Sequence, residues 1–210
     1  MIRIIKDYIQ RIFSNIFARK KTFKLGLYGP PNGGKSTLAN RITKDWIGKT
    51  MSPVSHIPHE TREVHIKEQI VIKHKSRELT FNLVDTPGIA TKIDYEDFMK
   101  YKLSKKKSKQ RAKEATKGVV EAIQWLDDMD VVVVVLDATE NPYSQVNITI
   151  IGNLVARKIP LMVVANKIDL RNAKLKKIES AFPQYEVVGI SALKGTNMEE
   201  FYESLFRIVK

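Results

Sequence analysis

No cysteine occurs in the 210 residues, which excludes disulfide bonds and thiolate metal sites. That composition agrees with a reducing compartment, and the expected location is cytoplasmic, with attachment to a membrane surface left open. Long apolar runs are missing as well. The longest, Val131 to Leu136, falls far short of the roughly 20 residues that cross a bilayer. The N-terminus interleaves charges where a secretion signal needs a continuous apolar stretch. Acid is scarce: 36 Lys and Arg stand against 23 Asp and Glu, a formal charge of +13. The excess lies in two places. Residues 1–21 carry six bases against one acid, residues 100–117 carry nine against one, and the remainder is neutral. Anionic partners are therefore to be sought at those two segments. The length suits one α/β domain with a full core and a small appendage, without room for a second full domain.

What is present begins with Gly29 to Ser36, GPPNGGKS, a phosphate-binding loop with the spacing Gly-x4-Gly-Lys-Ser. Small residues let the backbone curl so that successive N–H groups point at phosphate oxygens, and the following helix presents its positive end to the same anion. Gly29, Asn32, Gly33 and Gly34 would form the cradle. Lys35 would reach the β- and γ-phosphates and Ser36 a Mg²⁺ ion, and Thr37, in the first turn of the helix, would also bind the nucleotide. Residues 22–28 alternate as a strand entering the loop, and 36–42 continue as a helix.

Further strands are predicted at 63–73 and 79–84, a hairpin, and at 131–136, 161–165 and 185–190. Helices are predicted at about 105–127, 143–157, 171–181 and 197–209. The continuous apolar runs at 131–136 and 161–165 suit parallel strands covered on both faces. This order predicts an α/β fold of the P-loop type: a doubly wound, mostly parallel six-stranded sheet with one antiparallel edge strand and helices on both faces. The division is an N-terminal appendage, 1–22, and a domain, 23–210.

Three further motifs fall at the carboxyl ends of predicted strands, where ligands of such sheets collect. Asp85-Thr86-Pro87-Gly88 follows the strand 79–84; Asp85 can hold a Mg²⁺ water, and Gly88 lets its N–H approach a γ-phosphate. Asn166-Lys167-Ile168-Asp169 follows 161–165. The Asp169 carboxylate can accept from N1–H and N2–H₂ of guanine, donors that adenine lacks, which selects GTP over ATP. Asn166 would steady base and loops, and the Lys167 stem can lie over the ring. Ser191-Ala192-Leu193 ends the last strand, where the Ala192 N–H can face the guanine O6.

With GPPNGGKSTL, PHETR at 58–62, DTPG, NKID and SAL in this order, the chain resembles the Era-like group of translation-factor-related GTPases over about residues 23–210. It departs from that group's usual residue at Gly33. The resemblance implies slow hydrolysis of GTP to GDP and phosphate, a switch through roughly 50–62 and 86–104, and Thr61 as the switch threonine that engages Mg²⁺ and the γ-phosphate. Residue 89 is Ile where many regulatory GTPases have a water-orienting Gln. Era-like proteins with an apolar residue there use K⁺ near the β- and γ-phosphates, held partly by the loop Asn, which Asn32 matches. The alternative is a membrane- or protein-docked module that binds GTP and hydrolyses it negligibly.

Ile2, Ile5, Ile9, Ile12 and Ile16, with Tyr8, Phe13 and Phe17, recur at helical spacing with Arg3, Lys6, Gln10 and Arg11 largely between them. This basic amphipathic helix has three possible partners: its own domain, another protein, or an anionic membrane. The run 100–117 is either a solvated helix face or a nucleotide-gated patch for RNA phosphates, with ribosomal RNA or a ribosomal subunit the partner implied by the resemblance. The helix 197–209 ends the sequence, so the KH domain with which Era holds RNA is expected to be lacking.

Overall fold

The computed structural model describes residues 22–52, 63–90, 93, 96, 99–100 and 104–209. The amphipathic segment 1–21, the PHETR stretch with Thr61, and much of 91–103 lie outside the described residues. The elements are β1 (Phe23–Tyr28), α1 (Lys35–Ile47), β2 (His65–His74), β3 (Arg77–Asp85), α2 (Lys105–Gln124), β4 (Val131–Asp137), α3 (Gln145–Ala156), β5 (Leu161–Asn166), α4 (Leu175–Ala181), β6 (Val187–Ile190) and α5 (Met198–Ile208). A 3₁₀ turn, Trp125–Asp128, follows α2.

The strands form one six-stranded sheet in the order β2-β3-β1-β4-β5-β6. All neighbours are parallel except β2 with β3, which makes β2 the antiparallel edge. The period-2 side-chain alternation of β4 divides its apolar run between two cores: Val131, Val133 and Val135 face α1 and α5, while Val132, Val134 and Leu136 face the side of α2, α3 and α4. Each fully buried Val or Leu contributes about 1.5–3 kcal/mol, so a strand buried on both faces anchors the sheet.

Two predicted elements needed correction. The strand expected over 63–67 and 69–73 forms as one, β2, but its pairing shifts between Lys67 and Ile70, where Gln69 takes φ 52° and its N–H donates to Asn82 Oδ1 at 2.9 Å. The extra residue of this bulge reverses the facing of the rest of the strand. Hence Ile66 is 44% exposed while Ile70 is fully buried, although both are even-numbered. The helix predicted at 171–181 starts only at Leu175, because the Lys174 N–H donates to Ala138 O at 2.7 Å and the preceding residues turn.

Helix α1 is positioned by its ends. Gly34 precedes it at φ 95°, without a side-chain cap, and Gly48 closes it at φ 77° with its N–H on Lys44 O at 3.0 Å. Leu38, Ala39 and Ile42 form the buried stripe that packs it on the sheet. Its N-terminal N–H groups thus open at the carboxyl end of the central strand β1.

Candidate nucleotide-binding site

The phosphate loop joins β1 to α1 and rests on β4. A Cβ built at Gly29 would stand 2.3 Å from the Val135 carbonyl oxygen, and one at Gly33 would stand 2.7 Å from it. The backbone therefore approaches β4 more closely than any side chain permits. The same contact gives a physical reason for Gly at position 33. Asn32 adopts φ 59° at the exposed turn of the loop. Ser36 and Thr37 occupy the first turn of α1, both half-buried.

Lys35 is buried, and its ammonium donates to the Gly29 carbonyl at 3.3 Å and the Pro30 carbonyl at 2.9 Å. Desolvation lowers its pKa to about 8, against the opposing pull of Asp85. A lysine charged at neutral pH in such a place has a standing preference for an anion.

Asp85, at the end of β3, is completely buried, and neither carboxylate oxygen has a hydrogen-bond partner. Burial pushes its pKa up. Ser36, Lys35 and Ser52 pull the other way without any of them completing a hydrogen bond to it. Two orphaned carboxylate oxygens beside a serine hydroxyl form a hard-oxygen donor set that fits Mg²⁺, with water and phosphate as its remaining ligands. Ser52 is itself buried with an unpartnered hydroxyl, and Asn40 of α1 holds it there. Asn40 Oδ1 accepts from the N–H groups of Met51 (2.8 Å) and Ser52 (2.9 Å), and its Nδ2 donates to Ser52 O at 2.7 Å.

The segment after Asp85 is tied to the loop. The Thr86 hydroxyl donates to Leu27 O at 2.7 Å and the Ile89 N–H to Gly29 O at 3.1 Å, while Gly88 lies against Pro31. Ile89 is only 5% exposed and belongs to the buried cluster that also contains Tyr28, Val84 and Leu126. The side chain at the water-orienting position is thus apolar and withdrawn into the core.

Asn166 joins the two ends of the site. Its Nδ2 donates to Gly33 O and its Oδ1 accepts from the Ala192 N–H, both at 3.0 Å. The Ala192 amide, expected to face a guanine O6, is directed at Asn166 here. Asp169 lies near Ser191 and Lys194, whose ammonium is 3.3 Å away. The Ser191 hydroxyl, then Lys194, hold its pKa below the ordinary carboxylate value. Lys167, at φ 67°, pairs through its ammonium with Asp137 at the end of β4. The stem that was expected to lie over the base thus ends in an ion pair that sequence reasoning missed. Arg41 of α1 was also missed. It donates to Ala192 O at 3.0 Å and Leu193 O at 2.7 Å, fastening the base-side loop to the helix of the phosphate loop.

A basic anion loop, a buried carboxylate whose surroundings fit Mg²⁺ and the ionised Asp169 carboxylate, all at the carboxyl ends of the strands, define a P-loop nucleotide-binding domain. Residues 24–167 match the 50S ribosome-binding GTPase family, and the chain belongs to that family. It is 33% identical over 195 residues to GTPase Era of Clostridium botulinum, covering 89% of this chain and 56% of that protein. It is 29% identical over 187 residues to tRNA modification GTPase MnmE of Thermotoga petrophila, covering 88% and 35%. Its fold matches Aquifex aeolicus Era bound to GDP·AlF4⁻ with a TM-score of 0.68 at 26% identity, covering 91% of this chain and 58% of that one. It likewise matches Era in complex with MgGDPNP and nucleotides 1506–1542 of 16S ribosomal RNA, with a TM-score of 0.67 at 27% identity and coverage of 90% and 57%. The chain thus spans between a third and three fifths of these relatives.

Proposed function

We propose that the domain binds GTP with Mg²⁺, hydrolyses it slowly to GDP and phosphate, and acts as a nucleotide-dependent switch in ribosome assembly or another RNA-linked process of the cytoplasm. The observation that carries the reading is the Asn166 strut, which couples the loop holding Lys35 to the loop that orients Asp169. On binding, Lys35 exchanges the Gly29 and Pro30 carbonyls for β- and γ-phosphate oxygens and recovers a full partner for its buried charge. Asp85 and Ser36 hold the metal, which when bound neutralises charge on the β- and γ-oxygens. Thr61, outside the described residues, completes the metal and γ-phosphate contacts by the family resemblance. Gly88 offers its N–H to the γ-phosphate, and Asn32, exposed at the turn, is free of the fold to hold K⁺ beside it.

Burial of Ile89 favours slow turnover, on the order of 10⁻⁴ to 10⁻² s⁻¹ unassisted, because positioning and charge neutralisation remain while the water has no side chain to orient it. The same burial also favours a second reading, a docked module with negligible hydrolysis. Single-turnover assays with γ-labelled GTP in K⁺ and in Na⁺ decide between them. Slow release accelerated by K⁺ supports the switch, and no release in either salt supports the docked module.

The proposed RNA contact is the N-terminal half of α2. Lys105, Lys106 and Lys107 stand at a helix N-terminus with no acid in its first turn, an arrangement that repels the helix dipole unless an anion is near. Era's complex with 16S ribosomal RNA makes that RNA the first one to test. Affinity should fall steeply with salt, since each neutralised phosphate adds about 0.7–0.9 to the slope of log K against log salt.

A further inference from the structure

A surface helix ordinarily turns charged side chains to water. Helix α3, QVNITIIGNLVA, contains none. Its inner face buries Asn147, Ile150, Ile151 and Leu154, and its outer row is Gln145, Ile148, Gly152 and Val155. Ile148 is 49% exposed and Val155 53%. A Cβ at Gly152 would meet nothing within 4 Å, so the row has a notch open to solvent at its middle. At its C-terminal end α3 meets the 3₁₀ turn after α2, where Arg157 Nε donates to Asp127 Oδ1 at 2.8 Å. The row thus leaves two aliphatic side chains, Ile148 and Val155, half exposed on a helix face that carries no charge.

The chain enters the described structure at that same corner. The Lys24 N–H donates to Asp130 Oδ2 at 2.9 Å, and its ammonium lies 3.9 Å from Asp128 and 5.7 Å from the Trp125 ring centre. The Asp127 and Asp128 side chains are largely exposed there. Thr22 precedes β1, before it stand Arg19, Lys20 and Lys21, and before them come apolar residues at helical spacing. The acid exposed at the corner is opposite in sign to the basic cluster 19–21 of the sequence, and the exposed aliphatic side chains of α3 match in kind the apolar residues recurring through 2–17.

We propose that residues 2–17 dock along α3 of their own domain, with Ile9 beside Ile148 and Ile16 beside Val155, and with the 19–21 basic cluster against Asp127 and Asp128. The dimensions agree. Residues 18–22 span at most about 17 Å, enough to turn the corner. A helix over 2–17 is about 24 Å long, against about 18 Å for α3. Ile9 to Ile16 and Ile148 to Val155 are the same seven-residue step, so one register satisfies both pairs. Gly152, between them, lets the backbones approach.

The absence of cysteine makes the test direct. In the full-length chain, the pairs Ile9→Cys/Ile148→Cys and Ile16→Cys/Val155→Cys are oxidised mildly, with Ile9→Cys/Ile66→Cys as a control on the far sheet edge. Docking predicts intramolecular disulfides at least about tenfold faster in the two α3 pairs than in the control, because the segment's local concentration is raised at that face alone. Equal rates in all three pairs overturn the proposal. Predominant disulfides between copies overturn it in favour of a dimer, and α3 pairs that stay reduced while the wild-type chain sediments with phosphatidylserine vesicles overturn it in favour of a membrane. Amide exchange gives a second measurement without cysteines. Ile9→Ser/Ile16→Ser should speed exchange at the α3 amides several-fold, and unchanged α3 exchange contradicts docking.

Discussion

Replacing Asn166 by alanine removes two hydrogen bonds that join segments 133 and 26 residues apart in sequence. Both partners, Gly33 O and the Ala192 N–H, belong to buried residues, so they lose their bond without gaining bulk water. An unsatisfied buried group costs about 1–3 kcal/mol, and two together about 2–6 kcal/mol, less if a water enters the space left by the side chain. For a domain of this size each kcal/mol lowers Tm by about 2–4 °C, so nucleotide-free Asn166→Ala should melt about 5–15 °C below the wild type. Asn166→Asp keeps the shape but sets an oxygen against the Gly33 carbonyl, and it should be at least as damaging. Calorimetric or circular-dichroism melts of the nucleotide-free proteins make the comparison. A Tm within about 1 °C of wild type for Asn166→Ala would show that the side chain serves ligand contact alone, and the strut argument fails.

Asp169→Asn should reverse the donor pattern and shift preference from guanosine to xanthosine nucleotides, read by competition binding; unchanged guanine preference contradicts the assigned role. Lys35 has a pKa of about 8 in the free fold against 10.5 unfolded, so the unfolded chain binds more protons between these values. Its destabilising charge is present below about pH 8 and is relieved as pH rises through the window. Nucleotide binding, which favours the charged form, should accordingly take up about half a proton near pH 8 and little at pH 6.5, measured by titration in buffers of differing ionisation enthalpy. Asp85→Asn should abolish the magnesium-dependent gain in nucleotide affinity while leaving magnesium-free binding nearly unchanged; a surviving magnesium effect would remove Asp85 from the metal site. Arg41→Ala frees two carbonyls of the base-side loop and should weaken guanine nucleotide binding about 5- to 30-fold, as filter binding would report.

The parts of this molecule that were legible in one dimension are those built from short-range pattern. Val131 to Leu136 announces a strand buried on both sides, and GPPNGGKS announces its loop, because loop chemistry and strand burial are written in consecutive residues. The interactions that connect the motifs are of another kind. Arg41 meets Ala192 across 151 positions, and Lys167 meets Asp137 across 30, with no local signal in either partner. The bulge at Gln69 was equally hidden, since it depends on the opposing Asn82 rather than on its own alternation. The late start of α4 comes from one backbone bond, Lys174 to Ala138, between loops that the sheet brings together.

Titration calorimetry of the purified chain with GTP, GDP and ATP in magnesium buffer bears most directly on the central claim. The account predicts saturable uptake of both guanine nucleotides, at least about 100-fold tighter than ATP, because only guanine presents paired donors to Asp169. No heat with GTP, or equal affinity for ATP, would contradict it.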